Sequence, residues 1–585
     1  IGIPELTQGI TVKPLKDSIF DIVGNTASTD QNNNFAYFNK AKIYTVKKDG
    51  TGSFSTIQSA IDYSGIKTGD TLIVYPGTYT ESVDFKTKNV VLGSRYLTTS
   101  DTTYRDSTII KGSVTMNSLD STAALIGMMI YKGKVFVSDG SPVLKRLHIR
   151  EAYGRGLELS EVNMAIRDLE VKNNNTGSNG ENGHGGGIHI DKSTVSLINA
   201  VVDSNATRNS YQGGGLYSTA SNITITRSQF KDNVAHVGGG ISSINDKSFM
   251  MTNSTVARDS SVQHGGGLFI ENTQQQVLLE NVTIDSNRNH LASGYNGGGI
   301  YAYRTSLYLK NATVTNNRSA RQGGGIYFYN NESDTNQQDS LIVERSVFNR
   351  NRSTENGAGI FTKLSYHGKV ELTNSLFTNN TSLNDDNGSY YTSALYLDTE
   401  RQATTKITNS TIASNNGNYA VNIRGGTGNT ILNSIIWHNR SSRNPSNTRI
   451  LNSNIEIGNS VPDSSNLNTD PAFVDYVNGD YRLSASSPSV GAGTSNGAPS
   501  VDLLGNARPN PVGSNPDMGA YESELSTRTT GNIFYVNTSG NDLNDGTINK
   551  PFLTIQRGID RTYNGDTLIV YPGTYTESVD FKTKN

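Results

Sequence analysis

The sequence predicts an all-β fold: a right-handed parallel β-helix (solenoid) with a short N-terminal capping helix. Three observations predict it. A Gly-Gly-Gly-aliphatic motif recurs at spacings of 28, 25, 27, 32, 26 and 34 residues. An apolar-x-x-Asn signature comes before most of these motifs. The segments between them alternate apolar and polar residues, as strands do. Repeats of this length indicate a solenoid, a propeller or an array, and the units are too short for four-stranded propeller blades.

The repeated glycines and asparagines are predicted to be structural. Glycine permits a positive φ where the chain turns into the next strand. Asparagine tolerates the left-handed conformation, and amides stacked on successive rungs can hydrogen-bond to one another. The glycine motif starts at Gly185, Gly213, Gly238, Gly265, Gly297 and Gly323, with a relaxed form at Gly357. The signature ends at Asn205, Asn233, Asn287, Asn317, Asn351, Asn380, Asn415 and Asn439, and one rung has Asp259 instead.

A helix is predicted to close the start of the solenoid. Ile57, Ala60 and Ile61 have helical spacing, and Ser53 or Ser55 is the candidate N-cap. A short amphipathic helix can lie across the open end of a β-helix and cover its core, because solenoids require terminal caps.

A second, longer repeat predicts a tandem array. Residues 69–89 recur without a change as residues 565–585, an offset of 565 − 69 = 496. A unit of roughly seventeen rungs would be about 80 Å long at about 4.8 Å per rung. The predicted divisions are a linker or the end of a preceding unit at 1–42, the N-terminal cap and first rungs at 43–92, β-helix rungs at 93–469, a closing segment at 470–525, and a linker with the start of the next unit at 526–585.

Composition narrows the function classes. A net charge of −2 leaves no electrostatic footprint for nucleic acid or an anionic membrane surface. Hydrophobic residues make up 34% of the chain, which suits a thin fold with a narrow core. The chain has no cysteine and no run of eighteen apolar residues, so we expect neither disulfides nor a membrane span in this window. The absence of cysteine fits a secreted or surface protein. Because the chain opens at Ile1, we expect a processed or excised product.

Three segments resemble known families. Residues 46–62 and 72–85 (LIVYPGTYTESVDF) resemble the N-terminal cap of pectin-lyase-like β-helix proteins, pectin methylesterases included. The glycine motif with its Asn signature resembles the repeats of chlamydial-type polymorphic outer-membrane proteins, which are surface adhesins. Residues 470–493, followed by VDLLGNARP and NPDMGAYE, are similar to the closing segment of bacterial and archaeal surface proteins with a "choice-of-anchor" domain. The resemblance implies a fold and a surface location, and is a poor guide to activity.

The sequence patterns of β-helix enzymes are missing. A methylesterase needs two aspartates in QDT-like and DFIFG-like contexts, and neither occurs. Gly183-His184-Gly185 matches the Gly-His-Gly of galacturonan hydrolases, but no aspartate pair lies on the preceding rungs, and Asp385-Asp386 falls in a distant loop. We therefore predict no catalytic residues. The alternative, a polysaccharide-binding or polysaccharide-degrading enzyme, would need charged residues of adjacent rungs to converge in one groove, and the sequence shows no such cluster.

No metal or cofactor site is predicted. His184 and His264 share a repeat position but lie three rungs apart, roughly 14 Å at about 4.8 Å per rung. That is too far to share a metal with bonds of about 2 Å. Oxygen ligands that could hold Ca²⁺ occur in one turn, where a solvated turn is the favoured interpretation: Asn541, Asp542, Asn544 and Asp545.

An aromatic stripe goes beyond the needs of a scaffold. The residue after the inward aliphatic residue of each motif should point outward, and on successive rungs it is often aromatic. Cross-rung stacking that stabilises the sheet is one interpretation. The other is an exposed docking surface for sugar rings or a neighbouring protomer. The stripe consists of Phe269, Tyr301, Tyr303, Tyr327, Tyr329, Phe361 and Tyr396.

Together these features predict a structural or adhesive repeat unit of a long extracellular or cell-surface fibre or filament. Its expected partners are neighbouring copies of itself, either as tandem units or as head-to-tail subunits, together with glycans. No nucleic acid partner is expected.

Overall fold

The fold is a right-handed parallel β-helix, so the predicted fold class is confirmed. The computed structural model describes residues 9–11, 35–37, 41–176, 183–290, 294–330, 338–364, 367–383, 392–400, 402–440, 445, 447–456, 463–563 and 565–581. None of the helices among them is long and apolar enough to cross a bilayer. They are α1 (Ile57–Asp62), α2 (Tyr96–Thr99), α3 (Thr103–Ser107) and α4 (Ile555–Arg561), with a 3-10 turn at Tyr476–Asn478.

A central rung has four strands. After a glycine motif the chain runs through Ile188–Asp191, Thr194–Ile198, Val201–Asp203 and Ala206–Thr207. Each strand pairs in parallel with its equivalent in the next rung. We number the four stacks sheets 1 to 4 in this order. The fourth strand is only two residues long, too short to show an alternating pattern.

The strands of each sheet are as follows. Sheet 1 contains Val83–Asp84, Val114–Asn117, Val135–Gly140, Leu157–Arg167, Ile188–Asp191, Leu216–Thr219, Ile241–Ile244, Leu268–Glu271, Ile300–Tyr303, Ile326–Asn330, Ile360–Leu364, Thr392–Thr399 and Tyr419–Gly425. Sheet 2, which Leu157–Arg167 joins to sheet 1, contains Ile43–Val46, Thr71–Val74, Val91–Ser94, Ala124–Ile126, Val143–Lys145, Thr194–Ile198, Asn222–Thr226, Ser248–Thr252, Val277–Glu280, Leu307–Lys310, Ser340–Glu344, Lys369–Thr373, Thr404–Thr408, Asn429–Leu432 and Thr448–Leu451.

Sheet 3 contains Gly77–Tyr79, Thr108–Lys111, Met129–Tyr131, His148–Arg150, Glu170–Lys172, Val201–Asp203, Gln229–Lys231, Thr255–Ala257, Thr283–Asp285, Thr313–Thr315, Val347–Asn349, Leu376–Thr378, Thr411–Ala413, Ile435–Trp437 and Asn454–Ile455. Sheet 4 contains Asn175–Thr176, Ala206–Thr207, Val234–Ala235, Ser260–Ser261, Arg288–Asn289, Arg318–Ser319, Arg352–Ser353 and Thr381–Ser382. Three further pairs are Gly9–Thr11 with Phe35–Tyr37, Phe473–Asp475 with Asp480–Leu483, and Ile533–Val536 with Thr567–Val570.

The core is a single column enclosed by the sheets. Inward and outward side chains alternate, as in Asn222–Thr226, where only Ile223 and Ile225 are buried. One continuous hydrophobic cluster extends from Val46 to Ile455. Sixteen strands, including Leu157–Arg167, stack in sheet 2 over the described residues. The column is therefore roughly 70 Å long at about 4.8 Å per strand, somewhat shorter than the sequence predicted.

The glycine triplets lie where neighbouring rungs come closest, and each glycine has its own reason. Gly213 has a φ of 69°. A Cβ on Gly214 would lie 2.5 Å from the carbonyl oxygens of Val234 and of Gly239 in the next rung, and one on Gly215 would lie 2.6 Å from that of Gly240. The first glycine is therefore required by backbone conformation, and the other two by the close approach of the rungs.

A buried asparagine ladder follows sheet 3. The Nδ2 and the backbone N–H of Asn287 both donate to Oδ1 of Asn317 at 3.0 Å, and Nδ2 also donates to the Val256 carbonyl at 2.9 Å. The predicted bonding between stacked amides is confirmed. Asn174, at the end of VKNN, has the same signature and belongs to the ladder too. The members are Asn174, Asn205, Asn233, Asp259, Asn287, Asn317, Asn351, Asn380, Asn415 and Asn439.

A serine ladder, which the sequence analysis missed, occupies the turn between sheets 2 and 3. The Oγ of Ser375 accepts the backbone N–H of Ser346 at 3.3 Å and donates to the Thr373 carbonyl at 2.8 Å. The signal was present, because each of these serines comes five residues before a member of the asparagine ladder. They are Ser228, Ser254, Ser346, Ser375, Ser410 and Ser434.

Helix α1 closes the start of the column, as predicted. Its N-cap is Thr56, whose side chain accepts the N–H of Ser59, so the candidates Ser53 and Ser55 were wrong. Thr56 is the residue whose extended backbone leads directly into the first helical turn, which is the geometry an N-cap needs. The residues that face the core are fully buried: Ile57, Ala60 and Ile61.

Residues 470–525, the predicted closing segment, pack along the outside of sheet 3. Turn asparagines hold this segment: Nδ2 of Asn374, Asn409 and Asn433 donates to its carbonyl groups at 2.6, 3.1 and 2.8 Å. Outward positions of sheet 3 become apolar at these last rungs, which is a signal visible in the sequence. The shared apolar cluster contains Leu376, Ala413, Ile435, Trp437, Phe473, Tyr481, Leu503, Met518 and Ala520.

Residues 43–92, the first cap, and residues 533–581, the second cap, share one local fold. Glu81 accepts the first two N–H groups of α1 at 3.0 and 2.9 Å, and Glu577 accepts those of α4 at 2.8 and 2.9 Å. Burial differs between the copies. Phe85 is 0% exposed beneath the following rungs, whereas its identical counterpart Phe581 is 65% exposed. The second cap has a separate small core centred on Phe534, Val536 and Phe552.

Candidate functional site

The aromatic stripe lies on sheet 1 and forms two rows of stacked rings. Strand register places Phe269, Tyr301, Tyr327, Phe361 and Tyr396 in the long row. Successive ring centroids are 5.1, 5.0, 4.9 and 5.0 Å apart, with interplanar angles of 10°, 14°, 2° and 2°. The short row is Tyr303 on Tyr329, at 5.5 Å.

The long row points outward but is not exposed, contrary to the sequence-based expectation. Phe269, Tyr327, Phe361 and Tyr396 are only 5–8% exposed. Each ring stacks on the next one in the row. The faces between neighbouring rings are therefore covered, and only the ring edges can be exposed to solvent. Burial raises the pKa of Tyr301 and of Tyr327, which keeps their hydroxyl groups protonated. The row therefore stabilises sheet 1 through aromatic pairs worth about 0.5–1.5 kcal/mol each.

The two histidines of the repeat lie against outward aromatic rings. His184 stacks on Tyr217 and His264 lies on Tyr301, each with ring centroids 4.5 Å apart. Each Nδ1 accepts a backbone N–H of the next rung, at 3.1 and 3.2 Å. Burial lowers the pKa of both imidazoles. They are neutral at pH 7 and act as packing residues that tie one rung to the next.

A charged cluster on sheet 3 is the arrangement that the sequence analysis did not find. Arg105 of α3 lies 3.2 Å from Glu170 and 3.0 Å from Asp106. His148 Nδ1 lies 3.1 Å from Asp106 Oδ1, and Lys172 lies 3.5 Å from Glu170. Residues more than 60 positions apart meet here because α3 packs across adjacent rungs. Charged residues of adjacent rungs therefore meet at this point, where they pair with one another.

The charges of this cluster neutralise one another. Burial would raise the pKa of Asp106, but hydrogen bonds from Arg105 and His148 lower it below its usual value. Burial likewise opposes ionisation of Glu170, and Arg105 and Lys172 more than offset it. Burial lowers the pKa of His148, so at pH 7 its neutral ring donates from Nδ1 to Asp106. The hydrogen bond to Asp106 fixes the orientation of the His148 ring, whose Nε2 lies 3.9 Å from Glu170.

The turn whose oxygens could hold Ca²⁺ uses them for turn hydrogen bonds. Asp542 accepts the backbone N–H groups of Leu553 and Thr554 at 2.9 and 2.8 Å, and its other oxygen accepts the Thr554 hydroxyl. Asp545 accepts from Thr547. Over the described ranges, no three His, Asp or Glu side chains are grouped so that they could hold a metal ion. Asp385 and Asp386 lie outside the described residues.

Comparison with known proteins agrees on the fold. The family model "Right handed beta helix region" matches residues 156–336. No curated protein matches the chain. Similar solved structures include the pectate lyase Pel9A, with 12% identity over 82% of this chain and 96% of that one and a TM-score of 0.25. The Dettilon tailspike protein (gp208) is 12% identical over 70% of this chain and 68% of that one, with a TM-score of 0.31. The A-module of the Azotobacter vinelandii mannuronan C-5 epimerase AlgE6 is 12% identical over 69% of this chain and 94% of that one, with a TM-score of 0.28.

These solved structures carry no argument about the activity of this chain, because identity and TM-score are both low. The fold itself defines the class of protein: a right-handed parallel β-helix.

Proposed function

We propose that this chain is a structural and adhesive unit of a long extracellular or cell-surface fibre made of tandem β-helix units. The observation that carries the proposal is the second cap. The same 21 residues recur, the same cap fold forms, and the side chains that rungs cover in the first copy are exposed in the second. Such a cap has the surface on which a further column of rungs would stack, as in other solenoids.

The interior of the solenoid supports a structural role. The asparagine ladder crosses ten successive rungs and hydrogen-bonds each to the next within a buried column. Hydrogen bonds of this kind are strong when shielded from water. A rod held by such a ladder resists fraying along its length.

Electron microscopy of the full-length gene product tests the proposal. We expect linear particles with an axial period near one unit length, roughly 70–80 Å at about 4.8 Å per rung. Surface labelling of intact cells with an antibody against the closing segment should mark these particles. Discrete compact particles without an axial period would contradict the proposal.

The second candidate function, a polysaccharide-degrading enzyme, is favoured by one observation: the charged cluster with the oriented His148. Assays with pectin, polygalacturonate and methyl-esterified substrates test it. We expect no turnover, because the charges of the cluster are already paired with one another. Turnover that is lost in His148→Ala, His184→Ala or Asp385→Ala would replace the fibre proposal with the enzyme.

A further inference from the structure

The second cap is joined to the closing segment by a buried ionic contact around Asp470. Arg557 Nη1 lies 2.7 Å from Asp470 Oδ2, and Arg561 Nη1 lies 3.2 Å from Oδ1. The side chains of Asp470 and Arg561 are each only 6% exposed, and that of Arg557 is 18% exposed. The Tyr563 hydroxyl donates to the Asp470 carbonyl at 3.4 Å. A small cleft at this junction is lined from both sides.

Further contacts brace the same face of the second cap. The Arg528 guanidinium lies 4.2 Å from the Tyr563 ring centroid and 3.4 Å from Asp566. Burial would raise the pKa of Asp470, but Arg561 and Arg557 lower it to about 2. Asp470 is therefore charged at every pH of interest. A buried charge held by two arginines is costly to leave unpaired, so the contact specifies its partner strongly.

The first cap lacks these groups although its fold is the same. Aligning the IQxxID helices, Ser59 stands at the position of Arg557 and Tyr63 at that of Arg561. Ser59 instead bonds to the N-cap Thr56, and the Tyr63 ring packs on Phe54 at 5.5 Å. Neither residue can neutralise a buried carboxylate. Two caps of one local fold thus present opposite chemistry to a preceding closing segment.

We propose that the Arg557, Arg561 and Tyr563 face is a docking surface whose partner is the Asp470 region of the preceding unit, and that the two arginines decide which caps are held rigidly in a tandem array. The proposal rests on the fibre function and names its unit-to-unit joint. A cap with Arg at both positions docks. A cap with Ser and Tyr at these positions, like the first, cannot form this ionic joint.

Distance measurements between spin labels on the full chain test the joint. The protein has no cysteine, so Val512→Cys and Ile548→Cys, at sites 94% and 57% exposed, place one label on the closing segment and one on the second cap. We expect a single narrow distance distribution. Asp470→Asn, and Arg557→Ser with Arg561→Tyr, should each broaden it, and the triple variant should be no broader than the double variant.

Two controls keep the outcome interpretable. Arg482→Ser removes a mostly exposed arginine that pairs with Asp480, also in the closing segment, and should leave the distribution narrow. Hydrogen exchange at α4 should remain slow in every variant, since Glu577 still caps that helix. A narrow distribution in the Arg557/Arg561 variant, or a broad one in the unmodified chain, overturns the joint. Either result leaves the fibre proposal standing, because the chain still links the units.

Discussion

At the scale of single residues, Asp259 is the exception in the asparagine ladder. Its Oδ1 accepts from the backbone N–H and Nδ2 of Asn233 at 2.7 and 2.9 Å, while Oδ2 is buried without a hydrogen-bond partner. In Asn287 the corresponding atom is Nδ2, which donates to two oxygens. A carboxylate oxygen in that place faces acceptors and cannot donate, so the charged form is disfavoured.

Asp259→Asn should therefore stabilise the protein, by about 1–3 kcal/mol at pH 7. Burial raises the pKa of Asp259 well above its ordinary value of 3.8. The folded state then holds a proton that the unfolded chain has released, so stability falls as the pH rises from 3.8 towards the folded pKa. The gain from Asp259→Asn should be small at pH 3 and grow above pH 4. Thermal unfolding measured across this pH range checks it.

Asp232→Asn is the matched control for Asp259→Asn. Asp232 is an exposed neighbour that pairs with Arg258, and exposed pairs contribute little. Asp232→Asn should change the midpoint of thermal unfolding only slightly, and this change should not grow as the pH rises above 4. A loss of stability in Asp259→Asn at pH 7 would show that the carboxylate has a donor in solution.

Tyr327, in the middle of the long aromatic row, should matter for sheet 1. Tyr327→Ala removes a buried ring with a stacked neighbour on both faces, and we expect a local loss of about 3–5 kcal/mol. Faster hydrogen exchange in Ile326–Asn330 measures it, and Tyr327→Phe, which keeps the stack, is the control. Unchanged exchange in Tyr327→Ala, together with lost glycan binding, would favour the docking interpretation instead.

At the scale of elements, the caps and the closing segment decide where the column ends. Helix α1 covers the first rung with three buried side chains. Glu81, in the bend between Gly77–Tyr79 and Val83–Asp84, ties the helix to a part of the chain more than twenty residues away. The closing segment lies along sheet 3 rather than across the far end, and it covers outward apolar residues of the last rungs. Helix α1 thus covers the first rung itself, whereas the closing segment covers the side of the last rungs.

Removal of residues 43–66 should expose the first rung, because Thr71–Val74 loses both its paired strand and the helix above it. We expect a lower melting temperature and association in sedimentation experiments. Glu81→Gln, which keeps the helix but weakens its cap, should have a smaller effect of about 0.5–2 kcal/mol. A truncated chain that melts like the parent and stays monomeric would refute the capping role.

At the scale of the whole molecule, the two caps allow a direct comparison of one local fold with and without rungs stacked on it. Asn585 corresponds to Asn89, so residues 90–176 appended after Asn585 would continue the second unit as the first continues. We expect the side chains of Val570 and Phe581, now 40% and 65% exposed, to become buried. Slower hydrogen exchange in Thr567–Val570 would show this. The same extension with Leu92→Asp and Leu125→Asp, both inward positions, should fail to protect the strand.

The amino-acid sequence was sufficient to predict the fold class, the rung positions, the capping helix and the tandem repeat. Those features depend on local rules: alternation for strands, glycine at tight turns, and asparagine at a fixed place in each repeat. The asparagine and serine ladders could be predicted from the sequence too, because their residues recur at fixed places in each repeat. The sequence analysis nevertheless missed the serines and Asn174. Asp259 was visible as an exception, but its lone buried oxygen was not.

Contacts across the rungs could not be predicted in this way, because they depend on how distant parts of the chain stack. Three features depend on residues that are far apart in sequence: the stacking of the aromatic row, the charged cluster around His148 and the contact of the arginines with Asp470. The identical residues Phe85 and Phe581 show the reason most directly: one is buried and the other exposed, because burial depends on the rungs stacked above and not on the residue itself.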